Sequence, residues 1–78
     1  MKFTGYFGYM RQRSDRVNIK IEWIEETVTN PEYTQVQSDG RIRKWRRIEQ
    51  SGKYLRVILL PDGETVHNVF FDRNFRGK

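Results

Sequence analysis

A chain of 78 residues makes a single domain, 1–78, near the lower limit of what folds without staples, and with no Cys neither disulfides nor a thiolate metal site can help it. A lone His argues against zinc, and no apolar run is long enough for a membrane span or a signal-peptide core. The net charge of +5 is segregated: residues 21–40 hold five carboxylates and no Lys or Arg, whereas 41–47, "RIRKWRR", hold five cations, a pattern suited to a polyanionic partner.

The opening "MKFTGYFGYM" reads as a first strand with Phe3, Phe7 and Tyr9 on one side, weakened by its two Gly. Residues 11–16 are a polar connection. From Val17 the period changes: Val17, Ile21, Ile24 and Val28 form a helical stripe, with Ser14, Asp15 or Asn18 to cap its start and Asn30-Pro31 to end it. Ile19 and Trp23 lie off that stripe, either packed under the N-terminal segment or forming a patch for a partner. Beyond the helix the chain reads as β: Tyr33 to Gln37, a turn at 38–40, "RIRKWRRIE", a turn at 50–52, "KYLRVILL", a tight "PDG" hairpin, and Glu64 to Phe71. The order predicts an α+β fold, an N-terminal strand and one helix followed by a curved antiparallel sheet of three to four strands.

Hairpin geometry assigns faces. If Leu60 pairs with Glu64, then Ile58 faces Val66, Arg56 faces Asn68 and Tyr54 faces Phe70. The opposite face, with Leu55, Val57, Leu59, Val69 and Phe71, is the more apolar and should meet the helix, carrying His67 with it. A two-residue turn at Ser51-Gly52 sets Arg47 opposite Arg56; a register one residue shorter sets Arg46 there and takes Trp45 to the core face opposite Val57. In both registers two guanidinium groups lie side by side, tolerable if Asp72 or Glu49 intervenes or if the place is meant for phosphate.

Arg forks match pairs of phosphate oxygens and aromatic faces stack on bases, so Arg41, Arg43, Lys44, Arg46, Arg47 and Arg56 are the candidate nucleic-acid contacts. The plain alternative is an exposed strand protected by charge from edge pairing. Arg73 either extends that surface or belongs to a latch: Asp72 is expected to pair with a cation on the neighbouring strand while Phe75 packs the tail down. His67 is the natural acid/base, and Arg56 would stabilise a charged phosphorane, although a His in a strand is more often structural. Nothing in the chain makes a Ser/His/Asp hydrolase, a Gly-rich nucleotide loop or a carboxylate metal cluster. An enzyme built from it would need no cofactor, and metal-free RNA cleavage through the 2′-hydroxyl meets that condition.

The segments "IKIEWIEETVTNPE", "QSDGRIRKWRRI", "GKYLRVILLPDGETVHNVF" and "FDRNF", about three quarters of the chain, resemble a short uncharacterised bacterial family related to RelE/ParE-type and BrnT-type toxins. The resemblance implies a RelE-like sheet, with Arg46, Arg47, Arg56, His67 and Arg73 at positions that match the working face of RelE-like ribonucleases. This chain has one helix where RelE has a helical hairpin, and ParE-like relatives bind a protein target and cut nothing. The expectations are therefore a cytoplasmic toxin-module protein that binds RNA, ribosome-associated RNA included, with or without cleavage; a non-enzymatic module for nucleic acid or for an antitoxin-like protein; or a plain homo-oligomer with Trp23 and Ile19 at its interface.

Overall fold

The computed structural model describes residues 2–5 and 19–75. Strand β1 (Lys2–Phe3) precedes helix α1 (Ile21–Thr29), and β2 (Tyr33–Val36), β3 (Ile42–Ile48), β4 (Lys53–Leu59) and β5 (Thr65–Phe71) follow. The fold is α+β, with the helix packed across β3 and β4 of a five-stranded mixed sheet ordered β1-β5-β4-β3-β2. The sheet exceeds the expected three to four antiparallel strands because β1 joins β5 in parallel, Lys2 beside Thr65 and Phe3 beside Val66. No helix among the described residues is long and apolar enough to cross a membrane.

The helix buries Ile24 and Thr27 completely, while Ile21, expected on the buried stripe, is 38% exposed. Thr27 survives in an apolar setting because its hydroxyl donates to the Trp23 carbonyl at 2.8 Å, satisfying its own polarity inside the helix. Ile19, expected off the stripe, is a core residue beside Ile24, Leu55, Val57, Leu59, Val66 and Val69. It precedes the helix, where extended backbone at Lys20 frees it from the helical wheel. Ile19 is thus committed to the chain's own core, and Trp23 meets Phe71 edge-on with ring centroids 6.2 Å apart, so the two do not form an open patch. Phe7, Tyr9, Val17 and the capping candidates Ser14, Asp15 and Asn18 lie outside the described residues.

Both hairpin registers differ from expectation, and in each case the loop is the cause. Between β3 and β4 the connection is 49–52 rather than a two-residue turn: Ser51 and Gly52 both donate N–H to the Ile48 carbonyl, with Gly52 at φ 68. The register becomes Trp45 opposite Arg56, Arg46 opposite Leu55 and Arg47 opposite Tyr54. No Arg of the 46/47 pair stands directly opposite Arg56, Arg47 being its diagonal neighbour, and Trp45 lies on the face opposite to the helix.

Between β4 and β5, Asp62 Oδ1 accepts the N–H groups of both Glu64 and Thr65 at 2.9 Å, which draws Glu64 into the turn and pairs Leu60 with Thr65 instead. The Thr65 hydroxyl, which donates to Asp62 Oδ2, and then these two N–H groups hold the Asp62 carboxyl at about 2, below its ordinary value. A β-bulge follows, with Val66 opposite Leu59 but Asn68 opposite Ile58, and Arg56 faces Phe70 rather than Asn68. A slip of two residues preserves the face of Arg56, Asn68 and Phe70, whereas the bulge turns Val66 into the core.

Candidate nucleic-acid interface

Alternation along β3 divides the basic run in two. Lys44 and Arg46 face the helix and are occupied there. Lys44 Nζ donates to the Val28 carbonyl at 2.8 Å and Arg46 Nη1 to the Asn30 carbonyl at 2.9 Å, while Arg46 Nη2 lies 3.4 Å from Glu26. Two cations at the negative end of α1 satisfy carbonyls that the helix leaves open, so their role is helix capping. The structure does not bring them to the other candidates.

The pairing of Arg43 with Ile58 and Arg47 with Tyr54 sets both on the open face with Arg56, and Arg41, just before the strand, acts on His67 through its charge. Arg41 makes an exposed ion pair with Asp39 at 3.6 Å and Arg43 Nη1 donates to Gln35 at 3.3 Å, both weak ties. Arg56 is held more firmly. Its guanidinium lies 5.5 Å from the Trp45 ring and 5.1 Å from the Phe70 ring, and Nη1 is 3.5 Å from Asp72 Oδ2. Burial, and then the charge of Arg43, lower the Arg56 pKa against the opposing pull of Asp72. Nε of both Arg43 and Arg56 is buried without a hydrogen-bond partner among the described residues. The face therefore holds positive charge that Asp72 balances only in part.

Asp72 is the latch that its position after β5 suggested. Trp45 Nε1 donates to Oδ2 at 3.0 Å, the Asn74 N–H donates to Oδ1 at 3.0 Å, and the Asp72 N–H donates to the Tyr54 carbonyl. Burial pushes this carboxyl up, but the Trp45 indole, the Asn74 and Phe75 N–H groups and the Arg56 charge outweigh it, leaving the pKa below its ordinary value. Phe75 then folds back over the sheet, parallel to Trp45 at 4.7 Å, which reduces Trp45 to 6% exposure. Arg73 is exposed at the rim of a small hollow of about 320 Å³ shared with Lys53, Tyr54 and Phe75.

The bulge also moves His67. Val66 points into the core, and Phe3 beside it shares that side, so Thr4 lies on the open side by alternation. Thr4 Oγ1 is 3.3 Å from His67 Nδ1, which sets the ring on the open side rather than the expected core side, half-buried. Burial, and then the positive charge of Arg41, lower the His67 pKa.

The larger groove, about 970 Å³, lies between α1 and the end of β3, where Lys20, Glu22, Glu26, Glu32, Arg46 and Arg47 mix signs. Among the described residues no group of three or more His, Asp and Glu side chains could hold a metal ion. Sequence reasoning missed the aromatic box of Tyr33, Trp45, Tyr54 and Phe75; the alternation Arg41, Arg43, Trp45, Arg47 within "RIRKWRR" was the available signal. Comparison of the chain with family models, with curated proteins and with solved structures returned no match in any of the three.

Proposed function

We propose that the chain is a small cytoplasmic RNA-binding protein of the RelE-like toxin-module kind, which takes single-stranded RNA on the open face of its sheet. The observation that carries this reading is the alternation of β3, which sorts Arg43 and Arg47 onto one face with Arg56 while Lys44 and Arg46 cap the helix on the other, with Arg41 just ahead of the strand and its charge acting on His67. Planar guanidinium groups in a row along a strand bind phosphate bidentately, and aromatic rings between them accept bases. His67, set beside Thr4 and with its pKa lowered by burial and then by the charge of Arg41, also supports metal-free cleavage. There His67 accepts the 2′-hydroxyl proton, the 2′-oxygen bonds to phosphorus, and the 5′-oxygen leaves with a proton from water. Arg41 and Arg43 stabilise the phosphorane charge.

The test is anisotropy of a short fluorescent single-stranded RNA at two salt concentrations, followed by a gel of the RNA. Binding should weaken with salt and be lost when Arg41, Arg43 and Arg47 are changed to Ala. It should survive the change of Lys44 and Arg46 to Ala, provided the fold is retained. With about three phosphate contacts removed, the salt slope should fall by roughly 2. Fragments that vanish with His67→Ala would add cleavage. Equal loss in both sets of variants, or binding indifferent to salt, would refute the reading.

A further inference from the structure

Trp45 lies mid-strand on the Arg-rich face, with Arg43 and Arg47 two positions away on either side, about 6.6 Å along the strand. The ring that covers it is Phe75, tilted by 10° with centroids 4.7 Å apart. Tyr33 and Tyr54 stand edge-on to Phe75, each with centroids 5.0 Å away. The slot has a flat floor, two aromatic walls and cations at both ends. That is the environment in which single-stranded nucleic acid stacks a base, and a flat side chain of the protein occupies it.

The attachment of Phe75 is short. Asp72 is fixed by its N–H to the Tyr54 carbonyl and by the Trp45 indole, whereas Arg73 and Asn74 are exposed and the tail is held by the N–H groups of Asn74 and Phe75 on the Asp72 carboxylate. Rotation after Asp72 gives up the Asn74 and Phe75 N–H bonds and uncovers Trp45, while the contacts of Asp72 with Trp45 and Arg56 stay in place. We infer that the box of Tyr33, Trp45 and Tyr54 is a nucleobase site of the RNA-binding face, plugged by Phe75, which a base of the bound strand displaces. This rests on the RNA-binding reading and adds to it where a base stacks and what competes with it.

The experiment uses the full chain with Trp23→Phe, so that fluorescence reports Trp45 alone. The probes are a short uridine oligoribonucleotide and an abasic oligomer of equal length. The base-containing probe should quench Trp45 and the abasic one should not. Phe75→Ala should bind the base-containing probe on the order of tenfold more tightly, because the site no longer has to be vacated, and should leave affinity for the abasic probe unchanged. Phe75→Leu, an apolar plug that cannot stack, carries the same test if the Ala variant fails to fold, with a smaller gain in the same direction. Variants that fold yet gain nothing, or gain equally on both probes, overturn the inference. If the unaltered chain binds RNA through Arg41, Arg43 and Arg47 while the Phe75 variants change nothing, the plug alone is refuted. If no form binds RNA, both readings fall together.

Discussion

Replacing Asp72 with Asn keeps the shape of the side chain and removes its charge, which isolates the latch. Oδ2 accepts from Trp45 Nε1 at 3.0 Å and faces Arg56 Nη1 at 3.5 Å, and Oδ1 accepts from the Asn74 N–H at 3.0 Å. An amide offers one oxygen where these donors use two, so one donor meets an NH₂ group in either orientation. A hydrogen bond to a charged acceptor contributes about 1.5–3 kcal/mol, and the partly solvated pair with Arg56 adds less than about 1 kcal/mol. A loss of about 2 kcal/mol, or roughly 8–16 °C in Tm for a domain of this size, is expected at pH 7. The sign with pH follows from the depressed carboxyl. Its contribution is complete above the unfolded value near about 3.9 and is lost as pH falls through the lower folded value, so the gap between the two proteins should close in acid. Far-UV circular dichroism melts across pH measure it. With Arg56→Met as background the cost should shrink, because part of it is an uncompensated guanidinium whose side chain is 19% exposed. A variant that melts within about 2 °C of the unaltered chain at pH 7, or a gap that persists undiminished in acid, would refute the reasoning.

Changing both Lys44 and Arg46 to Ala should lower stability by roughly 1–2 kcal/mol through the loss of the caps on the Val28 and Asn30 carbonyls, read by urea denaturation. A change under about 0.3 kcal/mol would show that water replaces them at no cost. His67 should titrate below about 6.5 by NMR, and Arg41→Gln should move the midpoint upward. Because the folded state binds this proton less readily than the unfolded chain, the group favours unfolding as pH falls below the unfolded value, a slope that His67→Gln should remove.

Much of the architecture was legible because it depends on neighbours in the chain. Asn30-Pro31 ends the helix, the apolar alternation of β4 separates Leu55, Val57 and Leu59 from Arg56, and Gly52 and Gly63 take the left-handed turn positions. A strand's faces follow from its period of two, and that period survives a slip of two residues, which is why Arg56, Asn68 and Phe70 kept their side although their partners changed. The latch at Asp72 was legible for a similar reason: a carboxylate one step past a strand finds the cation of the adjacent strand.

What tertiary structure alone decided is how strands align and what covers them. A turn motif such as Ser51-Gly52 is compatible with several loop lengths, and one residue of difference exchanges the faces of the whole basic strand. The choice depends on packing across the sheet, where Trp45 is buried either beneath the helix or beneath a residue from a distant part of the chain. The chain takes the second course. Phe75 covers Trp45 on the open face, Lys44 and Arg46 are released to cap the helix, and a bulge beyond the Asp62 turn brings His67 out beside Thr4. Composition and local period determined that this protein has an Arg-rich sheet face; long-range closure determined which arginines form it, because register is a property of strand pairs and their loops rather than of any one strand.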